Sequence, residues 1–215
     1  MHAESEITQA PRLDHYEIDA SRSTVRRRED MTAYARYKRE VLGSLGGTVL
    51  EIGAGYGANF GYLAAGTDWI GLEPDPAARR KLATVAAAHG YHRPVIASVA
   101  ERIPLSSASL DAVAGTLVLC SVADQALVLA QVRRVLRPGG RFVFFEHVAA
   151  PRGTASCGMQ RCCAPLSRRL AGCDPARETW RAIATAGFRE VQFRWFSRRP
   201  AIGLYSHYVG GTAHA

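Results

Sequence analysis

The chain has 215 residues, 47% hydrophobic and 21% charged, which are the proportions of a globular domain and exclude collagen-like, low-complexity and wholly disordered chains. Its formal net charge is +8, from 27 basic and 19 acidic residues. The arginines fall in scattered groups (Arg79-Arg80, Arg133-Arg134, Arg168-Arg169) without a basic stripe interleaved with aromatics, so no nucleic-acid partner is expected. No apolar run approaches the roughly 18 residues that span a bilayer, and Met1 to Arg12 has no apolar signal core. A cytoplasmic protein that engages no membrane is expected. Five cysteines is an odd number, and reduced thiols are the expectation. Cys157, Cys162, Cys163 and Cys173 lack the paired spacing of a zinc site, so no metal is expected.

In chain order, residues 1–30 are polar and largely aperiodic and read as an N-terminal arm or lid carrying Tyr16. Residues 31–215 form the folded domain. Tyr34, Tyr37, Val41, Leu42 and Leu45 recur at helical spacing after Asp30, a natural N-cap, and Gly46-Gly47 stops that helix. Val49 to Ile52 reads as a strand, followed by a glycine-rich turn and a short helix over 58–65. Trp69 to Glu73 is a second strand, and 76–89 a helix with Pro76 in its first turn. Short strands are expected over 94–97 and 110–116, with a helix from Gln125 to Leu136 between the latter and the next strand. Arg141 to Phe145 is almost continuously apolar, as in a strand buried on both faces. Residues 151–173 read as an inserted lid, 175–186 as a helix, and 189–196 and 203–209 as a final hairpin. The alternation predicts an α/β fold, a mostly parallel sheet with helices on both faces and a ligand beyond the C-terminal strand ends.

Glu51-Ile52-Gly53-Ala54-Gly55-Tyr56-Gly57 follows a strand and opens a helix, so backbone can approach a ligand closely. Alone it fits a dinucleotide site equally well. Glu73 ends the next strand, 18 residues after Gly55, where a carboxylate accepts hydrogen bonds from ribose hydroxyls. Val99-Ala100-Glu101-Arg102-Ile103-Pro104, Ser109-Leu110-Asp111 and Leu136-Arg137-Pro138-Gly139-Gly140 then follow in order. Together these resemble the class I S-adenosylmethionine-dependent methyltransferases over about residues 48–148. The resemblance implies a Rossmann-like seven-stranded sheet with an antiparallel final strand. It implies that S-adenosyl-L-methionine is bound by Gly53, Ala54, Gly55, Tyr56, Asn59, Glu73, Pro74, Val99, Ala100, Glu101, Thr116, Leu117 and Ser121, with S-adenosyl-L-homocysteine as product. Val99 stands where many members carry an adenine-binding Asp, so backbone and apolar contacts would hold that ring.

Gly57-Ala58-Asn59-Phe60, Thr116 to Val122, Glu146-His147-Val148, Gly172-Cys173 and Arg177-Glu178-Thr179-Trp180 look like the animal alkyl thiol S-methyltransferases. That resemblance implies methyl transfer to a small-molecule thiol or dithiol, such as one from a natural-product pathway. The animal proteins carry an apolar N-terminal anchor, and the N-terminal residues here are polar, so the membrane location is not carried over. An O- or N-methyltransferase of a small natural product is the alternative. A sulfonium donor and a thiolate acceptor cancel charge in the transition state, so a dry pocket assists. His147, just past the fifth strand, is the expected base or cationic helper. Tyr16, Cys120 and Trp180 are expected on the acceptor side with the 151–186 segment. Cys120 needs no covalent role, and Tyr34 and Tyr37 either join the lid or pack against the domain.

Overall fold

The structure, a computed structural model, describes residues 29–198 and 206–215; Glu29 and Asp30 are the part of the N-terminal arm that falls within them. Helix α1 (Met31–Gly43) starts where Asp30 takes an extended conformation and its Oδ1 accepts from the Thr32 and Ala33 amides, both at 2.9 Å. Its Tyr37, Val41 and Leu42 turn to the core. The Glu29 carboxylate meets the Arg194 guanidinium in a forked ion pair, and Arg194 lies 4.4 Å from the Tyr37 ring. The chain entering α1 is thereby fastened to the far edge of the sheet.

Among the described residues six strands form one sheet: β1 (Thr48–Ile52), β2 (Asp68–Leu72), β3 (Leu110–Thr116), β4 (Leu136–Val148), β5 (Glu190–Arg198) and β6 (Ser206–His214). Their order is β2-β1-β3-β4-β6-β5. The first four run parallel, and β6 lies antiparallel between β4 and β5. Seven strands were expected. The residues 94–97 contribute a single bridging position, Ile96, whose N–H donates to Gly71 at 2.8 Å and whose carbonyl accepts from Glu73 at 3.0 Å. Pro94 has no N–H to extend the ladder, and the Ser98 hydroxyl bonds to the Arg102 carbonyl at 2.7 Å, turning the chain away.

Side chains of β4 alternate across the sheet. Phe142 and Phe144 join Leu50, Ile52 and Val113 on one face, while Val143 and Phe145 join Val49, Ala112 and Ala114 on the other. Helix α3 (Gln125–Val135) and the short α5 (Thr179–Thr185) cover the first face through Val128, Val132 and Ile183, and α1 covers the second. A sheet buried on both sides requires this continuous apolar run. Helix α2 (Pro76–Ala88), capped by Asp75, packs Leu82 and Ala86 against Trp69 and Phe60.

Two expectations change. The helix over 58–65 shrinks to one 3-10 turn at Phe60–Tyr62. Gly57, at φ 83°, brings the chain so close to Phe60 that a Cβ there would sit 2.4 Å from its ring, and Leu63, extended at ψ 144°, ends the turn. Residues 151–173, expected as an irregular lid, are mostly helix α4 (Ala155–Ala171), with Thr154 capping the Cys157 amide and left-handed Gly172 closing it. The helix expected over 175–186 shortens to α5. Among the described residues no helix is long and apolar enough to cross a membrane.

Replacing Asp30 removes the acceptor for two otherwise unpaired amides. Asp30→Ala is expected to lower unfolding free energy by about 1 kcal/mol, read as a reduced urea midpoint with an unchanged slope.

Candidate active site

Parallel strands bring Gly53, Glu73, Leu117 and the residues after β4 to one edge of the sheet, with β1 central and its neighbours on either side. Such an edge, where strand order reverses, is where open α/β sheets bind ligands. Gly53 and Gly55 have φ of 58° and 55°. A Cβ on Gly53 would lie 2.5 Å from Val118 Cγ2, whereas one on Gly55 would meet nothing closer than 3.9 Å. The loop thus packs tightly behind and stays open in front. Glu73 braces it, Oε2 accepting from the Gly55 amide and Oε1 from the Asp75 amide, each at 2.9 Å. Each carboxylate oxygen keeps a second lone pair for a ligand hydroxyl.

A cavity of about 390 Å³ opens in front of this loop, within the range of small-molecule sites. Of the expected cofactor residues, Gly53, Glu73, Pro74, Val99, Ala100, Glu101, Leu117 and Ser121 line it. Leu72, Val118, Val122 and Ala123 line it too; sequence reasoning passed over them because an apolar residue beside a motif reads as core. Ala54 is buried, its amide donating to Leu72 at 3.2 Å. Tyr56 is 60% exposed, with the Lys81 ammonium over its ring. Glu101 Oε1 accepts from the Ala123 and Asp124 amides at 2.8 and 3.3 Å, so it pins the wall of the cavity. Leu117 is 47% exposed and has φ 56°, an uncommon backbone for a non-glycine residue. Its amide donates to Phe145 at 2.8 Å.

Behind the loop, buried Glu51 accepts from Asn59 Nδ2 at 2.7 Å and Trp69 Nε1 at 2.8 Å. Burial raises its carboxyl, opposed by these two bonds and by the charge of Lys38, itself buried and pushed down in pKa. Asn59 Nδ2 also reaches Thr116 Oγ1 at 3.0 Å. These two expected cofactor residues therefore sit behind the cradle, bonded to one another. Asn59 Oδ1 is buried and has no partner among the described residues.

The acceptor-side candidates separate. Cys120 is 2% exposed in the turn after β3. His147 stacks on Tyr208 at 5.2 Å, and its Nδ1 lies 3.8 Å from Cys173 Sγ. Burial lowers its pKa, favouring the neutral ring, and Nε2 has no partner among the described residues. Trp180 is instead a core residue, edge-on to Trp195 at 6.0 Å. Tyr16 lies outside the described residues. Tyr34 and Tyr37 pack edge-on against Phe145 under α1, as ordinary helix packing.

Sequence reasoning missed Glu146. Its carboxyl is fully buried and accepts from the amides of Val118, Leu119 and Cys120 at 3.0, 3.1 and 3.3 Å. Burial, with Cys120 beside it, pushes its pKa up to about 8 against the pull of those amides. The one available signal was a carboxylate flanked by apolar residues at the end of a buried strand.

A methyltransferase-domain family profile matches residues 50–144. Human thiol S-methyltransferase TMT1A is 35% identical over 170 residues, covering 74% of this chain and 70% of the human protein. The chain belongs to the thiol S-methyltransferase family. Rat TMT1B is 39% identical over 152 residues, which span 69% of this chain and 62% of the rat protein. The fold is shared with the Bacillus subtilis YcgJ protein (TM-score 0.65, 16% identity, 83% of this chain and 98% of that one). It is shared also with a geranyl diphosphate methyltransferase solved with S-adenosylmethionine (TM-score 0.62, 19% identity, 96% and 93%). S-adenosyl-L-methionine is the cofactor of this family, and the residues fit it. The glycine cradle is open in front, and Glu73, which lines the cavity, holds spare acceptor sites for hydroxyls.

A carboxyl with a raised folded pKa contributes stability that is complete below its unfolded pKa and is lost as pH rises through the folded value. Glu146 therefore makes the thiol S-methyltransferase-family domain less stable between about pH 4.5 and pH 8. Its share of the slope approaches about 1.4 kcal/mol per pH unit. Glu146→Gln carries no ionisable group and is expected to lose that share. Urea unfolding of both proteins from pH 5 to 8 measures the difference.

Proposed function

We propose that this chain is an S-adenosylmethionine-dependent S-methyltransferase that methylates the sulfur of a soluble small-molecule thiol or dithiol, acting in the cytoplasm in natural-product metabolism. His147 carries this reading. It is an imidazole that burial favours as the neutral form, at the ligand edge of the sheet, with Nδ1 3.8 Å from Cys173 Sγ and a buried Nε2 that has no partner among the described residues. A thiol of pKa near 8.5 needs only such a modest base at neutral pH. An alcohol, with a much higher pKa, needs a stronger one. The kinship with named thiol S-methyltransferases supports the same choice.

When bound, the cofactor supplies an electrophilic methyl group on a cationic sulfur. Glu73 would accept from its ribose hydroxyls. Val99 and Ala100 would hold its ring by apolar contact in place of a carboxylate, and Leu117 and Val118 would exclude water from the reacting edge. His147 takes the acceptor's proton on a ring nitrogen and leaves a thiolate. Donor cation and acceptor anion neutralise each other as the bond forms, so apolar walls do not oppose the step. The 151–186 segment forms the acceptor side through Cys173, and positioning supplies much of the rate.

Glu73→Ala is expected to weaken cofactor binding by roughly 1–3 kcal/mol, measured by calorimetric titration; an unchanged affinity places the ribose elsewhere. Labelled cofactor offered to a thiol panel, with matched alcohols and amines, tests the reaction class. Transfer confined to thiols is the expected outcome, and transfer to alcohols or amines refutes the sulfur assignment. His147→Gln is expected to slow thiol methylation by about 10²-fold at pH 7. The deficit should shrink at pH 9.5, where the acceptor ionises unaided.

A further inference from the structure

Cys120 and Cys173 are distant in sequence and meet beside the cofactor cavity. Cys120 lies in the turn after β3, and its neighbours Ser121 and Val122 line the cavity. Cys173 follows Gly172, the left-handed residue that ends α4. The Asp174 amide donates to the Cys120 carbonyl at 3.0 Å and clamps the two segments together. That clamp makes the two thiols neighbours, and each shifts the pKa of the other. Cys120 is buried and Cys173 partly exposed.

The pair is asymmetric. The Cys120 thiol beside it draws the Cys173 thiol down, and the Arg177 cation assists, against burial and the charges of Glu146 and Asp174. The Cys173 neighbour, then burial, pushes the Cys120 thiol well up. A reachable thiol inclined to ionise, backed by a buried thiol that keeps its proton, matches the attacking and resolving roles of disulfide exchange. Methyl transfer itself requires neither sulfur.

We propose that Cys173 and Cys120 form a dithiol site that reduces small-molecule disulfides beside the methyl-transfer pocket, so that an acceptor arriving oxidised is converted there to the thiolate to be methylated. The last clause rests on the S-methyltransferase reading, and the reduction does not. The Cys173 thiolate attacks one sulfur of R–S–S–R. That S–S bond breaks, one RS⁻ leaves, and Cys173 carries the –SR group. Cys120 passes its proton to His147, and its sulfur attacks the Cys173 sulfur. The second RS⁻ leaves and a Cys120–Cys173 disulfide remains. Two electrons have moved from the pair to the substrate. A small-molecule thiol reductant restores the pair by the reverse exchange and is itself oxidised to a disulfide.

The test uses the full chain, reduced and desalted, in a C162S/C163S background that removes two exposed cysteines. The probe is 4,4′-dithiodipyridine, a neutral disulfide that absorbs on cleavage, with no methyl donor present. The expected result is release of about two equivalents of pyridinethione, an intact mass without adduct, and a Cys120–Cys173 cross-linked peptide. C120S is expected to release about one equivalent and to keep a stable mixed disulfide on Cys173. C173S is expected to slow release at least about 100-fold. Separate adducts on the two cysteines, or release unaffected by C173S, overturn the proposal. Methylation of free mercaptoethanol, assayed separately, reports on the transferase reading alone, so either function can fail while the other stands.

Discussion

The carboxyl of Glu146 holds the turn after β3, one wall of the cavity, in shape. It ends a strand buried on both faces, and three consecutive amides of the turn after β3 point at it. That turn carries Leu117 in a left-handed conformation and places Val118 against Gly53, where no Cβ fits. Without an acceptor inside the fold, those amides would be buried and unpaired, which costs more than a typical hydrogen bond returns. The strain at Leu117 persists because the carboxyl and the Phe145 carbonyl hold the residues around it.

The same device recurs along the ligand edge. Glu73 gathers the amides of Gly55 and Asp75, and Glu101 those of Ala123 and Asp124. Chains leaving parallel strands expose unpaired N–H groups, and each glutamate satisfies two or more of them. The arrangement also sets the local charge. A chain with formal net charge +8 lines this cavity with the carboxylates of Glu73 and Glu101, which suits a cationic sulfonium ligand.

Features with local chemical causes were legible in the sequence. The Asp30 cap, the glycine loop, the end-of-strand Glu73 and the apolar run of β4 each announce themselves within a few residues. Helix α4 did not, because Gly158 and Pro165 break its pattern, and a well-made cap at each end outweighs them. Residues 94–97 read as a strand from their apolar character, yet Pro94 brings no N–H and only Ile96 bridges to the sheet. Asn59 was singled out for a ligand, yet its amide nitrogen is spent on Glu51 and Thr116. Glu146 and the Cys120–Cys173 contact were illegible for another reason. Each joins segments far apart in the chain, and nothing local distinguishes them from an ordinary glutamate or an ordinary packed cysteine.

The end of β4 and the segments packed on it therefore concentrate groups that compete for negative charge. Glu146, Cys120 and Cys173 lie close enough that charge on one raises the pKa of another, and burial withholds the water that would screen them. With its pKa near 8, Glu146 is largely protonated at neutral pH, which frees Cys173 from one repulsive neighbour. Any thiolate placed among these groups meets the same constraint. It is favoured while Glu146 keeps its proton and while His147 is free to take another. A neutral carboxyl, a neutral imidazole and a paired dithiol thus leave the cluster able to accept one negative charge at a time. One buried negative charge is also what a cationic sulfonium ligand in the neighbouring cavity would cancel.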